Sequence, residues 1–292
     1  MAKMVFLDGK IISAEEVGID PLSQTLHYGN GVLEGLRSYE TQQGPYIFKA
    51  KDHFERLAYS AARMRVSQPF TAEEMEAASL AVLRANRLQA AYIRPIIYAE
   101  PNVDLTATRQ SHVLITAWEW GRMLGDSLVN LMISSFQRPG PECCFVDAKV
   151  CGYYAMSIAA RTEARDNHCH DAVQLDQYGF VASSTTANIF MEKDEVLYTP
   201  RLGQIFPGIT RQTVIELAQA LQVEVVEKDI QPAELLAADS VFLAGTGVEI
   251  TGVSHINRRA MKLAWEDSLG FILSRKYRQL VSLKDQHPFT LI

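Results

Sequence analysis

The sequence is short of cysteine, of excess positive charge and of long apolar runs. Its four cysteines, Cys143, Cys144, Cys151 and Cys169, form no C-x-x-C pair and no regular spacing. That pattern argues against a disulfide framework or structural zinc site and for free thiols in a reducing compartment. His168-Cys169-His170 invites a metal reading, but adjacent side chains rarely point at one ion and no second cluster accompanies them, so no metal is expected. The 28 basic and 34 acidic side chains leave a net charge of −6. Such a balance offers no footprint for nucleic acid or an anionic membrane surface. No apolar run approaches transmembrane length, and Met1–Asp8 meets an acid too soon for a signal-peptide core. A cytoplasmic location is therefore expected, with no nucleic-acid and no membrane partner. Internal repeats and low-complexity segments are absent from the sequence.

What is present is a chain of 292 residues, 48% apolar, enough for one large domain or two ordinary ones, and two are expected. Val5-Phe6-Leu7, Asp8-Gly9 and Lys10-Ile11-Ile12 read as a hairpin around a type I′ turn. Three glycines within seven residues, Gly29, Gly31 and Gly35, suggest backbone lying close to a ligand or forming a turn-rich loop. From Asp52 to Val66, Phe54, Leu57, Ala58, Ala61 and Met64 recur at helical spacing, leaving Arg56 and Arg63 off the stripe. Thr71-Ala72-Glu73-Glu74 is a capping-box pattern opening a second helix toward Asn86. Buried strands are expected at 92–99 and 111–118. The run 118–126, rich in tryptophan and glycine, marks a change of domain. The expected division is 1–120 as a small domain, 121–127 as a hinge and 128–292 as a larger domain. The larger domain is expected to hold a helix over 153–166, strands at 171–175, 179–182, 188–191 and 240–245, a helix after Gly208, and a closing helix over 259–283.

Four places carry candidate chemistry. Lys149 sits between Ala148 and Val150, where partial burial would disfavour the ammonium form and lower the amine pKa, as a Schiff-base lysine requires. Arg94, among Tyr92, Ile93, Pro95, Ile96 and Ile97, needs an anion, either a structural or a substrate carboxylate. A helix starting after Pro207-Gly208 presents free backbone N–H groups, a natural phosphate seat. Gly245-Thr246-Gly247 ends a strand in a turn whose amides suit an anion.

Taken together, His27-Tyr28-Gly29, Glu34-Gly35-Leu36-Arg37, Glu55-Arg56-Leu57, Ala91-Tyr92-Ile93-Arg94-Pro95, Ala148-Lys149, Pro207-Gly208-Ile209-Thr210-Arg211 and Gly245-Thr246 through Thr251 form an ordered series. It resembles the fold-type IV (class IV) pyridoxal-phosphate aminotransferases, closest to branched-chain amino-acid aminotransferases, over residues 3 to 260. The resemblance implies an α+β two-domain fold with a small N-terminal α/β domain and a larger C-terminal domain with a β-barrel-like core. It implies pyridoxal 5′-phosphate as cofactor and Lys149 as the catalytic lysine that joins it and shuttles protons. Tyr154 would bond the cofactor's phenolic oxygen. Arg56, Ile209, Thr210 and Thr246 would hold the phosphate, and Ser183 would lie at the pyridine nitrogen. Tyr28, Gly35, Arg37, Tyr92, Arg94 and Trp120 would shape the substrate pocket, with Gly247 and Val248 at the α-carboxylate. A homodimer or higher homo-oligomer is implied as well.

Several residues depart from the family pattern. Ser183 stands where relatives place a glutamate that keeps the pyridine nitrogen protonated, and a serine hydroxyl does not enforce that protonation. Neighbouring acids do not replace it in the sequence, since Glu192 lies past a strand and Asp176 precedes the turn. Met123 replaces a usual tyrosine, Gly247-Val248 replaces two alanines, and the connection from Trp120 to Lys149 is shorter. The expected function is transamination between an apolar L-amino acid, such as a branched-chain one, and 2-oxoglutarate. Two alternatives remain at this point: a lyase of the aminodeoxychorismate type, motivated by Ser183, and a binding protein on the same fold.

Overall fold

The computed structural model describes residues 3–102, 104–108 and 110–282. Its contacts divide the chain into two compact units. Unit 1 comprises Met1–Gly121 together with Ala148–Tyr154, and unit 2 comprises Arg122–Asp147 and Ala155–Ile292. The stretch carrying Lys149 is thus counted with the N-terminal part of the chain.

Unit 1 opens with the hairpin β1 (Met4–Leu7) and β2 (Lys10–Ser13), paired antiparallel from Met4↔Ser13 to Leu7↔Lys10. Asp8 and Gly9 both have positive φ, 46° and 93°, as a type I′ turn demands. The short helix α1 (Gln24–Tyr28) follows, then β3 (Gly31–Leu33), β4 (Leu36–Thr41) and β5 (Gly44–Ile47). Helices α2 (Ala50–Arg63) and α3 (Ala72–Ala85) come next, before the long strands β6 (Ala91–Ala99) and β7 (Ser111–Trp118). The sheet runs β2-β1-β7-β6-β4-β5, with β3 also on β6. Alternate residues of a strand share a face. Ile93 and Ile97 of β6 and Val113 and Ile115 of β7 accordingly join Phe54, Leu57 and Ala61 of α2 and Met75, Val82 and Leu83 of α3 in one core. The expected capping box is present: Thr71 Oγ1 accepts from the Glu74 N–H, and Glu74 Oε2 accepts from the Thr71 N–H. One stripe residue differs from expectation. Ala58 faces solvent, while His53 and Ser60 are buried on α2, because this helix turns a polar edge as well as an apolar one inward.

Unit 2 contains β8 (Val129–Ile133), the helix α4 (Tyr154–Asp166), and β9 (Asp171–Leu175), β10 (Val181–Ser184), β11 (Asn188–Lys193) and β12 (Val196–Pro200). After it come α5 (Ile209–Ala220), β13 (Val225–Lys228), α6 (Pro232–Ala237), β14 (Ser240–Gly245), β15 (Glu249–Ile256), β16 (Arg259–Ala260) and α7 (Leu269–Ser282). Its mixed sheet runs β10-β9-β8-β15-β14-β11-β12-β13, with β16 on β15. Residues of β11 and β14 are buried on both faces: Ile189, Met191, Val241 and Leu243 point into one core, while Phe190 and Phe242 stack on the other side at 5.0 Å. Two covered faces explain why these strands read as unbroken apolar runs. The closing helix begins ten residues later than expected. Asn257 and Arg258, both with positive φ, turn the chain so that Arg259 pairs with Ile256, and a single 3-10 turn at Trp265–Asp267 precedes α7. Leu283, the expected end, lies outside the described residues. The strand expected at 179–182 is shifted to Val181–Ser184, which places Ser183 within it opposite Gln174.

Candidate active site

In unit 1, Glu34 between β3 and β4 is wholly buried, an expensive place for a carboxylate unless it is paired. It is paired with α2. Arg56 Nε donates to Glu34 Oε1 at 2.6 Å and Arg56 Nη2 to Oε2 at 3.0 Å. His53 Nδ1 lies 2.9 Å from Oε2, and the Gly35 N–H donates to the same oxygen at 3.1 Å. Burial alone would push the Glu34 carboxyl up, but the Arg56 charge and the His53 hydrogen bond hold it far below the usual carboxylate range. Burial pushes the His53 imidazole down, against the pull of Glu34, and so favours the neutral ring. The same helix fixes Lys149. Ser60 Oγ donates to the Arg56 carbonyl at 2.8 Å and accepts from the Lys149 N–H at 3.0 Å. The Lys149 carbonyl accepts from the Leu33 N–H at 3.0 Å, and Val150 bridges Val32. The Lys149 main chain is therefore clamped between α2 and β3, and its Nζ lies 5.6 Å from the centre of the Tyr154 ring.

The remaining predicted residues of unit 1 gather at the ends of β4, β6 and β7. Arg37 donates through Nη1 to the Trp120 carbonyl at 3.0 Å and through Nη2 to the Gly121 carbonyl at 2.7 Å, holding the segment after β7. Tyr92 stands edge-on to Trp120 with ring centres 4.9 Å apart, and its hydroxyl accepts from Arg94 Nη2 at 3.0 Å. Gly35 admits nothing larger, because a Cβ there would lie 2.0 Å from the Tyr92 hydroxyl. Arg94 Nε is buried without a hydrogen-bond partner, and among the described residues no carboxylate pairs with Arg94. Of the two anions open to it, a structural carboxylate is thus not supplied. Tyr28 is half-exposed at the end of α1, and Ile19, Leu22 and Leu26 are exposed as well.

In unit 2, Ser183 is buried, and its hydroxyl donates to the Ser184 carbonyl at 2.8 Å while accepting from Arg138 Nη1 at 3.1 Å. Asp171 of β9, fully buried, accepts from Thr185 Oγ1 at 2.5 Å, and burial pushes its carboxyl up. Fourteen residues of chain and a strand pairing separate the two, so no local motif announces the contact. The start of α5 has Gly208 at the cap with no side-chain capping bond, leaving the first-turn N–H groups of Ile209 and Thr210 uncapped by a side chain. Asn188 enforces this: its Nδ2 donates to the Phe206 carbonyl at 3.0 Å, and a Cβ at Gly208 would lie 2.1 Å from its Oδ1. Thr246, Gly247 and Val248 form the turn between β14 and β15, where the Gly247 carbonyl accepts from the Met123 N–H at 2.9 Å.

Sequence reasoning missed Glu34 and His53 as partners of Arg56, Ser60 as the clamp on Lys149, and Arg138. The signal for Glu34 was its place in the Glu34-Gly35-Leu36-Arg37 block. A cavity of about 810 Å³ in unit 1, lined among others by Lys3, Asn86, Arg87 and Trp118, includes none of the predicted site residues. Among the described residues no helix is long and apolar enough to cross a membrane, and no group of three His, Cys, Asp or Glu is placed to hold a metal.

Residues 31–256 match the model of the class IV amino-transferase family, and the chain belongs to that family. It is 35% identical over 289 residues, 97% of this chain and 94% of the relative, to a branched-chain-amino-acid aminotransferase of Pseudomonas aeruginosa. Among solved structures it resembles a branched-chain aminotransferase from Thermoproteus uzoniensis with norvaline, with a TM-score of 0.91 and 36% identity over 95% of this chain and 94% of that one. It also resembles a branched-chain amino acid aminotransferase from Thermobaculum terrenum in its PLP-bound holo-form, with a TM-score of 0.90 and 30% identity over 96% and 94% of the two chains. The fold is that of the fold-type IV aminotransferases.

Proposed function

We propose that this aminotransferase uses pyridoxal 5′-phosphate to exchange an amino group between an apolar, branched-chain L-amino acid and 2-oxoglutarate, and that Lys149 is its catalytic lysine. The observation that carries this reading is the clamp on Lys149, whose main chain is bonded to Ser60 and Leu33 beside Arg56. A lysine so fixed can present its amine repeatedly to one point, which proton shuttling requires. The residues present fit the cofactor. Arg56 is oriented by two hydrogen bonds to Glu34, and the first turn of α5 has no side-chain cap. The phosphate is assigned to Arg56, Ile209, Thr210 and Thr246, the phenolic oxygen to Tyr154 and the pyridine nitrogen to Ser183.

When bound, the cofactor supplies the electron sink for loss of the substrate α-proton. Lys149 Nζ takes that proton and returns it. Arg94, with its buried Nε unsatisfied, is assigned to a substrate carboxylate, and Tyr92 and Trp120 give apolar wall to the pocket. Tyr28, Gly35 and Arg37 shape the same pocket, and Gly247 and Val248 receive the α-carboxylate. A homodimer is part of the reading, supported by exposed Ile19, Leu22, Leu26 and Tyr28, a run of apolar side chains suited to a second copy. A reducing, cytoplasmic setting agrees with four free cysteines. The lyase and binding-only alternatives have no observation in their favour, and the relatives named above are aminotransferases.

The test is spectroscopic. Purified protein loaded with pyridoxal 5′-phosphate should show a visible Schiff-base band that Lys149→Ala changes. Leucine or glutamate should convert that band to the pyridoxamine form, and 2-oxoglutarate should restore it. Absence of conversion by either amino acid sinks the reading.

A further inference from the structure

We infer that Arg161 is a further substrate-binding residue of this aminotransferase, its guanidinium meeting the α-carboxylate that the amino donor and the 2-oxo acceptor share. The inference rests on the proposed reaction and on the assignment of Gly247 and Val248 to that carboxylate. The observation behind it lies wholly in unit 2. Two donors from different elements, Arg161 Nη1 of α4 and Thr186 Oγ1 of the turn between β10 and β11, converge on one sulfur, Met123 Sδ, at 3.7 and 3.9 Å. The same sulfur stands 3.6 Å from where a Cβ on Gly247 would lie, and the Met123 N–H donates to the Gly247 carbonyl at 2.9 Å.

The chemistry follows from the mismatch between donors and acceptor. A thioether accepts weakly, so two strong donors aimed at it hold bonding capacity that it does not use. A guanidinium carries five N–H groups and stays charged at any working pH. Arg161 is half-buried and directs one of its nitrogens to the sulfur. A carboxylate arriving beside the Gly247 turn offers charged oxygens instead, and charge-assisted bonds are roughly twice as strong as neutral ones. Guanidinium and turn stand one thioether apart, a gap that a carboxylate hydrogen-bonded at both ends spans. Met123 is unbranched and flexible, so its sulfur can turn aside while its main chain stays on Gly247.

Among the described residues no carboxylate is bonded to Arg161. The residues one helical turn away, Ser157, Ile158, Ala164 and Arg165, include no acid. The Arg161 charge favours ionisation of Asp171, but burial is the larger influence there and pushes that carboxyl up. Asp171 Oδ1 accepts instead from the Thr185 hydroxyl and the Ala172 N–H, and its Oδ2 is buried without a partner. Arg122, the cation beside Met123 in the chain, is by contrast occupied, donating to Asp126 Oδ1 through Nε at 2.9 Å and Nη2 at 2.5 Å. Arg161 is thus the cation of this corner left to a ligand.

The experiment compares ligands with and without the shared carboxylate on enzyme loaded with cofactor. Arg161→Gln should raise KM for leucine and for 2-oxoglutarate alike, about tenfold or more, with kcat within about twofold of the wild type. 4-Methylvaleric acid keeps the leucine skeleton and its carboxylate but has no amino group. Its binding, read by spectral titration, should weaken by the same factor. Isoamylamine, the leucine skeleton without the carboxylate, should convert the cofactor at equal single-turnover rates in wild type and variant. Arg161→Lys, which keeps the charge, should recover much of the loss. Unchanged KM values and unchanged 4-methylvaleric acid binding in Arg161→Gln overturn the inference. So does a loss that extends equally to isoamylamine, which marks a residue that only supports the fold, and so does a loss confined to 2-oxoglutarate. All three outcomes leave the aminotransferase reading standing, which fails instead if neither leucine nor glutamate converts the cofactor in the wild type.

Discussion

The two units handle a cation in opposite ways. In unit 1, Arg56 meets a fully buried carboxylate and the charges cancel within one residue pair. In unit 2, Arg138 meets a hydroxyl, donating through Nη1 to Ser183 Oγ. A buried carboxylate without its cation is among the costliest features a core can hold, whereas a half-buried arginine without its serine costs little. The first arrangement is therefore the one bound up with stability.

The sharpest way to break the contrast is at Glu34. Replacing it by alanine leaves Arg56 beside an apolar pocket and His53 without its acceptor, and should cost about 3–5 kcal/mol in urea denaturation. It should also weaken pyridoxal 5′-phosphate binding far more than binding of pyridoxal lacking the phosphate, if Glu34 orients Arg56. The pH dependence has a definite sign. Arg56 and His53 depress the folded pKa of Glu34, so its contribution is complete above the unfolded carboxylate value near about 4.3 and is lost as pH falls below it. The stability gap between wild type and Glu34→Ala should accordingly narrow on acidification below about pH 4, measured by denaturant midpoints at several pH values.

The next effect belongs to Arg94. Arg94→Gln removes a charge with an unsatisfied buried Nε, and charge-assisted hydrogen bonds contribute about 1.5–3 kcal/mol. KM for the dicarboxylate 2-oxoglutarate should rise about tenfold or more, with a smaller change for a branched-chain donor. Equal losses for both would show that Arg94 serves the pocket wall and not an anion.

Arg138→Gln should change the denaturation free energy by less than about 1 kcal/mol, as expected of a half-buried arginine on a hydroxyl. A loss as large as that of Glu34→Ala would erase the contrast between the units. Smallest is the cysteine chemistry. Burial pushes the Cys151 thiol up to about 11, while Cys143 is exposed, so iodoacetamide at about pH 8 should label Cys143 first and leave Cys151 unmodified in the folded protein. Peptide mapping after brief labelling checks this, and early modification at Cys151 would show that its surroundings open.

Much of the fold was legible because its signals are local. The Asp8-Gly9 turn, the Thr71–Glu74 capping box and the strand 111–118 depend on residues a few positions apart, and each is present. The closing helix starts later than periodicity suggests because 259–283 carries apolar residues at permissive spacing throughout, while the turn at Asn257-Arg258 uses positive φ without glycine. Periodicity alone leaves Arg56 off the stripe, since that stripe counts apolar positions and the inward polar edge of α2, His53 and Ser60, has no hydropathic signature.

The sequence by itself determined the family, through seven separated blocks whose order no single motif could counterfeit, and it located Lys149 and the serine at position 183. Only the tertiary structure decided what those residues touch. Glu34 and Arg56 are 22 residues apart, Ser60 and Lys149 are 89, and Ser183 and Arg138 are 45. Local propensity is blind at such separations, because which side chains meet is set by strand order and helix docking, after the chain has closed its long loops. The contact between Arg138 and Ser183 is a product of that closure.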